Sequence, residues 1–431
     1  MRVVRTSPLY ETEPMYVQDQ ARFLNGVCEI DTTLRPMELL DRLQAIEQRL
    51  GRIKTVEKGP REIDLDVLTY KGEQLTTDRL TIPHASMKER EFVLRPLLEQ
   101  VESPGCRTLI ILGYSPPHQP LLACFKQIIH KPLSMLSQTP LGPESAVIRA
   151  TDPRRTTRVM SILNVTPDSF SDGGKNEPTD VEALKATIAS HIASGATIID
   201  IGGQSSRPNA PDITADEEIA RILPAIAAIK SLPEAAHIAI SIDTYRAAVA
   251  SAAVEAGAHI INDISAGTLD PAMLSTIAGL GCTYVMMHMR GTPSTMQDPE
   301  NLAYPAGLTQ TILAELRDRV DAAQAAGIRR WRLILDPGIG FAKTPDQNLE
   351  ILRDFRSFPL FPGLRSIPWM VGSSRKGFIG KITGVEEAKE RSWGTAATVT
   401  TAVQGGASIV RVHDVGEMAQ VVKMADAMYR V

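Results

Sequence analysis

Polar and ionisable residues recur through the last two thirds of the chain, each just after an apolar run. Asn164 opens NVTPDSFSDGG (Asn164–Gly174), where an apolar run gives way to a Pro-Asp turn, a solitary Phe170, Asp172 and a Gly-Gly pair. Ser206-Arg207-Pro208, Asp243, Asn262-Asp263, Met287-His288, Asp336, Ser374-Arg375-Lys376 and Arg411 with His413 follow later apolar runs in the same way. Arg and Lys beside Gly-rich turns such as GGQSS and GSSRKG suit an anionic, phosphorylated substrate. The carboxylates of Asp243 and Asp336 with the amide of Asn262 suit a flat, donor-rich heterocycle. One pole for phosphate and one for a polar ring together describe a phosphorylated heterocyclic substrate.

Plainer readings stand beside this one. A single Asp after a strand is also how the next helix is N-capped, and Asp243 before Thr244 fits that. Arg411 and His413 alternate along one run, which a structural ion pair would also explain. His288, among methionines, reads as a satisfied core or rim histidine rather than a catalyst. Capping alone does not account for eight polar ends at once.

A second constellation lies in GPREIDLDVLTY (Gly59–Tyr70), where Asp64 and Asp66 are one residue apart in an expected strand. Side chains at i and i+2 share a face, so the two carboxylates would converge as a seat for Mg²⁺. Arg52, Lys54, Lys58, Arg61 and Arg90 surround it in sequence, which favours this over a solvated charge pair.

The elements that must position these groups follow from periodicity. Apolar runs at Val159–Thr166, Ile198–Gly203, Ala239–Thr244, Ile260–Ser265, Thr283–Met289, Leu333–Gly338, Trp369–Ser373 and Ile409–Asp414 read as strands. Helical spacing fills Val181–Ser194, Asp216–Ser231, Arg246–Ala256, Pro271–Gly279, Pro305–Ala326, Asp346–Phe355, Ala388–Gln404 and Val415–Met428. Eight strand-then-helix units over roughly 270 residues predict a (β/α)8 barrel, with an open doubly wound sheet as the alternative. Continuous apolar strands fit a sheet buried on both faces. The expected domains are 1–102, a Pro-, Ser- and charge-rich linker at 103–157 with a short helical piece at Leu121–Ile129, and the barrel at 158–431.

Composition narrows the class. The chain has 431 residues, a formal net charge of −4 and 43% hydrophobic residues, ordinary for a two-domain enzyme. That charge leaves no electrostatic footprint for nucleic acid or an anionic membrane. No apolar stretch reaches spanning length, and the N-terminus lacks a transit-peptide pattern. Four scattered cysteines without metal-ligand spacing point to a reducing compartment, hence a cytoplasmic expectation, with a mitochondrial one left open.

NVTPDSFSDGG, IIDIGGQSSRP, SIDTY, IINDIS, MHMRG, LDPGIGFAK, GSSRKGFIG and RVHDV occur in that order and closely resemble dihydropteroate synthase across 158–431. The resemblance implies condensation of 6-hydroxymethyl-7,8-dihydropterin pyrophosphate with p-aminobenzoate, releasing pyrophosphate. It assigns Asp243, Asn262, Asp336 and Lys376 to the pterin, with Met287 lining the pocket, and Asn164 to Mg²⁺. Arg207, Arg411 and His413 would hold pyrophosphate. Phe170, Ser206, Pro208, Phe341 and Ser374 would shape the p-aminobenzoate site, with Asp172 joining as the first loop orders. Homodimerisation through the barrel is also implied. Gln204 and Ser206 depart from the commoner Glu and Thr of the family, and Gln204 receives no role.

LYETEPMYVQDQARFLN, LGRIKTVEKGPREIDLD and IPHASMKEREFVLRPL resemble 6-hydroxymethyl-7,8-dihydropterin pyrophosphokinase over 1–102. That resemblance implies ATP as a substrate and Mg²⁺ on Asp64 and Asp66. Arg61, His84 and Arg90 would contact ATP or the transferred group, and Thr12, Met15, Asn25 and Phe92 would form a pterin pocket. Family members open on a strand with a Gly-Ser-Asn turn and a helix, and this chain starts at what reads as the second strand. The expectation is therefore a shortened domain, with kinase activity or a non-catalytic interaction module as its alternatives. For the barrel, methyl transfer from a folate to a corrinoid protein is the competing activity, which would need no pyrophosphate site.

Overall fold

The computed structural model describes residues 1–14, 19, 21–51, 63–101, 135–142, 146–166, 181–204 and 212–431. Two compact units emerge, one of residues 1–138 with 329–331 and the other of residues 139–328 with 332–431.

The N-terminal unit is α+β. Strand β1 (Arg2–Thr6) is followed by β2 (Leu9–Thr12), β3 (Phe23–Asn25) and β4 (Cys28–Asp31), and then by helix α1 (Pro36–Arg49). Short strands β5 (Leu75–Thr76) and β6 (Thr81–Ile82) precede α2 (Glu91–Val101) and β7 (Met135–Pro140). Antiparallel pairing joins β1 to β4, β5 to β6, and β2 to both β3 and residues 135–138 of β7. Leu39, Leu40, Leu43 and Glu47 recur at helical spacing on the buried side of α1. The three leucines pack with Ile30, Val67, Tyr70, Leu80 and Ile82. The strand expected around Asp64 and Asp66 is not formed, and Ile63–Tyr70 joins no ladder among the described residues. Its polar groups go elsewhere: Leu65 N–H donates to Glu47 Oε1 at 2.6 Å, and Leu68 O accepts from His84 N–H at 2.8 Å. The two carboxylates are nevertheless both exposed, with half-buried Leu65 between them.

The second unit is a closed barrel. After β8 (Val147–Ile148) come β9 (Arg158–Asn164), α3 (Val181–Ala193), β10 (Ile198–Gly202), α4 (Ala215–Ser231), β11 (Ala239–Asp243) and α5 (Ala247–Ala256). The chain continues through β12 (Ile260–Asp263), α6 (Met273–Leu280), β13 (Thr283–Met287), α7 (Leu308–Ala326), β14 (Leu333–Asp336) and α8 (Pro345–Asp354). It ends with β15 (Met370–Val371), α9 (Gly377–Thr383), α10 (Ser392–Gly405), β16 (Ile409–Val412) and α11 (Val415–Tyr429). Strands β9 to β16 are parallel in the order β14-β13-β12-β11-β10-β9-β16-β15. A parallel bridge between Leu335 and Trp369 brings β15 back to β14 and closes the ring, which decides against an open sheet. Local sequence signals set the helices. Thr214 and Thr344 cap α4 and α8, each in a reciprocal capping box with Glu217 and Gln347. Helix α9, directly after Lys376, is one that periodicity did not single out.

Period-two alternation layers the interior. Met160, Ile198, Ala239, Ile260, Val285, Ile334, Met370 and Ile409, one from each strand, form an apolar floor together with Leu141 and Ile148. Part of the stretch expected to be linker thus belongs to the barrel: Thr139 pairs with Ile148, and Pro140 O accepts from Thr283 Oγ1 at 2.6 Å. The alternate residues Ile199, Ile201, Ile240, Ile242, Ile261, Tyr284, Met286, Leu333 and Leu335 pack outward in the helix-facing core. Two positions beyond the floor residues stand Ile162, Asp200, Ser241, Asn262, Met287, Asp336, Gly372 and Arg411. An apolar floor with a polar layer above it places the chemistry at the C-terminal ends of the strands.

Candidate active site

Asp200 is the hub of the polar layer and is fully buried. It accepts from Ser241 Oγ at 2.5 Å, Asn262 Nδ2 at 3.0 Å and Arg411 Nε at 2.6 Å. The other face of Arg411 reaches Asp243 Oδ2 at 2.7 Å, so one guanidinium ties two carboxylates. Burial pushes the Asp243 carboxyl up to about 7 against the pull of Arg411 and Lys376, with Asp200 adding to the rise. Asp243 does not cap α5: Ala247 N–H is taken by Asp270 Oδ2 at 2.7 Å.

Asp336 holds the turn that follows it, accepting from Gly338 N–H at 2.7 Å, and burial raises it to about 6. Gly338 has φ 71°, and a Cβ there would lie 2.0 Å from His288 O. Lys376 extends over Gly340, where a Cβ would stand 3.0 Å from its Cδ, and its Nζ meets the Phe341 ring at 4.1 Å. Burial and Arg411 lower the Lys376 ammonium to about 8, while Asp336 and Asp243 draw it back up. Met287, Phe341, Ile264, Met296 and Ala342 form an apolar patch beside these charges. Ser374 Oγ accepts from His413 N–H at 3.2 Å and lies 3.0 Å from His413 Nδ1. Burial, Arg375 and Arg411 drive His413 down to about 3, so its ring is neutral.

Behind the Asp336 turn lies a second polar chain. Lys343 Nζ donates to Phe341 O at 2.9 Å and meets His288 Nδ1 at 3.1 Å. His288 Nε2 faces Glu315 Oε2 at 2.7 Å, so Nδ1 accepts and Nε2 donates. Burial and Lys343 push His288 down to about 4, and burial likewise lowers Lys343 to about 7. Burial raises the Glu315 carboxyl, but bonds from His288 and Arg290 outweigh it and hold it at about 2.

Gln204 also has partners: its Nε2 donates to Asp212 Oδ1 at 2.9 Å, and its Oε1 accepts from Arg246. Arg246 bonds Glu218 as well and reaches Asp212 Oδ1 at 2.5 Å. One guanidinium therefore grips Gln204 and Asp212 together. Ser206, Arg207, Pro208, Phe170 and Asp172 lie outside the described residues, as do Met15 and Arg61.

In the N-terminal unit the described candidates meet in pairs. Asn25 Nδ2 donates to Thr12 Oγ1 at 2.7 Å, His84 Nε2 stands 3.9 Å from Asp66 Oδ2, and Arg90 lies 5.8 Å from the Phe92 ring centroid. Among the described residues, no group of three or more His, Cys, Asp or Glu could hold a metal. Asn164 ends β9 beside Gly202, where a Cβ would lie 3.2 Å from its Oδ1.

Residues 160–413 match the family described as pterin binding enzyme, and residues 1–102 match 7,8-dihydro-6-hydroxymethylpterin-pyrophosphokinase. The chain belongs to the pterin-binding enzyme family. The fission yeast (Schizosaccharomyces pombe) folic acid synthesis protein fol1 is 44% identical over 99% of this chain and 55% of its own length. An Arabidopsis thaliana mitochondrial folate synthesis bifunctional protein is 42% identical over 99% of this chain and 78% of its own. The chain spans about half the length of the fission yeast and Pneumocystis carinii relatives, at 55% and 56%. Among solved structures, Xanthomonas albilineans dihydropteroate synthase with 4-aminobenzoic acid matches at TM-score 0.57 and 35% identity, covering 64% of this chain and 95% of that one. Yersinia pestis dihydropteroate synthase with a sulfonamide drug matches at TM-score 0.59 and 34% identity, covering 67% and 98%.

Within this pterin-binding barrel the described candidates gather at one end of the strands. The residue that motif reading passed over is Asp200, and its signal is simple: a lone carboxylate inside the apolar run IIDIG, in phase with the inward-facing Ile198. A buried charge there requires a partner, which Arg411 supplies.

Proposed function

We propose that the barrel joins 6-hydroxymethyl-7,8-dihydropterin pyrophosphate to p-aminobenzoate, giving 7,8-dihydropteroate and pyrophosphate. The observation that carries this is the polar layer itself: Asp243, Asn262 and Asp336 above an apolar floor, with Lys376 and Arg411 among them. Carboxylates raised by burial stand ready to accept from the N–H groups of a pterin, which favour their ionised form. That negative pole also stabilises positive charge developing on the ring as pyrophosphate leaves. The leaving group's C–O bond breaks at the pterin methylene, and the arylamine nitrogen forms the new C–N bond and loses a proton. Phe341 offers an apolar wall for the benzoate ring, and Met287, in the same apolar patch, lines the pterin pocket. Arg207, Arg411 and His413 are proposed to hold the pyrophosphate, Ser374 to shape the p-aminobenzoate site, and Asn164 to hold Mg²⁺, which would neutralise the departing charge.

In the N-terminal unit, Asp64 and Asp66 are the proposed Mg²⁺ ligands for pyrophosphoryl transfer from ATP to the hydroxymethyl pterin. Both are exposed, which leaves room for substrate phosphates. AMP release from ATP and the hydroxymethyl pterin tests that reading, and its absence would favour an interaction module. For the barrel, purified full chain with supplied pterin pyrophosphate, p-aminobenzoate and Mg²⁺ should release dihydropteroate and pyrophosphate in equal amounts. Folded protein that yields neither would refute the assignment.

A further inference from the structure

We propose that Lys343 is a positioning residue for this reaction, fixing the turn after Asp336 so that the Phe341 ring stands against Lys376. The inference rests on the synthase reading of the barrel and deepens it. Lys343 is 3% exposed, so its ammonium must find its partners inside the protein. A lysine has three donors, and three acceptors surround this one: Phe341 O at 2.9 Å, His288 Nδ1 at 3.1 Å and His288 O at 3.5 Å. The first acceptor belongs to the residue whose ring meets Lys376 Nζ at 4.1 Å.

The turn needs such anchors. Gly340 and Ala342 both have positive φ, 81° and 48°, and the latter is unfavourable for a residue with a Cβ. Gly338 N–H is held by Asp336, Gly340 N–H by Asn348 Oδ1 at 2.6 Å, and Ala342 O by Tyr304 OH at 3.0 Å. Lys343 supplies the anchor at Phe341 itself. Its other acceptor, His288, is fixed by Glu315, which Arg290 also binds. Arg290 in turn lies 4.3 Å from the Tyr304 ring centroid and donates to Ala303 O at 2.6 Å. Lys343 therefore ties the Phe341 turn to the loop after β13 and to α7.

The test is a double-mutant cycle on the full chain, with Lys343→Met, Phe341→Ala and the double variant assayed on supplied pterin pyrophosphate. Lys343→Met should raise the KM for p-aminobenzoate about tenfold while the KM for pterin pyrophosphate moves less than about twofold. Adding Phe341→Ala to it should change the former less than about twofold, because the ring is already displaced. Lys343→Arg should recover part of the loss. Fully multiplicative losses would overturn the proposal, as would a structure of Lys343→Met with the ring still against Lys376. If Lys343→Met does not fold, Lys343→Gln, which keeps two donors, carries the same cycle. No turnover by the unmodified chain would contradict the synthase reading alone. The ring-to-ammonium distance in structures of the unmodified and Lys343→Met proteins would then still decide the role of Lys343.

Discussion

The barrel and the N-terminal unit both set carboxylates on strand-like runs, a lone Asp200 in one and the pair Asp64 and Asp66 in the other, and they do opposite things with them. Asp200 lies two residues beyond the floor residue Ile198, inside a closed ring of strands, fully buried and bonded to Arg411. Asp64 and Asp66 lie two residues apart on a segment outside the described ladders, and both face solvent. Spacing therefore sets which face a side chain takes, while the sheet around it sets whether that face is dry. A dry face forces pairing and raises Asp243 and Asp336. An exposed one leaves room for a hydrated cation and phosphates.

That contrast can be broken most forcefully at Arg411. Arg411→Met would strand Asp200 and Asp243, and should lower stability by about 3–5 kcal/mol, read by urea denaturation. Adding Asp200→Asn should restore a large part, and a double variant no better than the single would dissolve the pairing account. Lys376→Ala should cut kcat/KM for dihydropteroate formation by about a hundredfold or more while melting shifts little. Melting that falls as steeply as activity would make Lys376 structural. A pH series sharpens the burial side of the comparison. Folded Asp336 and Asp243 titrate near 6 and 7, above the ordinary carboxylate value of about 4 in the unfolded chain. The folded state thus keeps protons that the unfolded chain has released. The stabilising contribution is full below about pH 4 and is lost as pH rises through 6 and 7. The melting temperature of Asp336→Asn relative to the unmodified chain should accordingly climb between about pH 4 and 6 and then level off, and a constant gap would contradict the assignment. The smallest effect belongs to Asp66→Asn, which should change stability by no more than about 0.5 kcal/mol yet abolish any AMP formation.

The barrel was legible because each of its rules is local. Apolar runs of strand length, helical spacing between them and a polar residue after each run require no knowledge of partners. Asp243 and Asp336 could be named from position alone. What stayed hidden depends on distant pairing. Asp200 and Arg411 are 211 residues apart, and nothing near either announces the other. Lys343 sat in a quoted motif without a role because its acceptors come from its own turn and from His288, 55 residues away. The Asp64–Asp66 segment read as a strand from alternation. That alternation is present in its burial, but ladder bonds need a neighbour, and Leu65 N–H goes to a side chain instead. The linker misled for a related reason: Leu141 and Ile148 belong to the barrel floor only once the ring has closed.

The most direct test of the account compares Asp336→Asn and Asp66→Asn side by side for p-aminobenzoate incorporation on supplied pterin pyrophosphate. Supplying that substrate removes any need for the N-terminal unit's chemistry. The prediction is a loss of about a hundredfold in kcat/KM for Asp336→Asn and no change for Asp66→Asn. Equal losses in both, or full activity in Asp336→Asn, would contradict a pterin seat built from the barrel's buried polar layer.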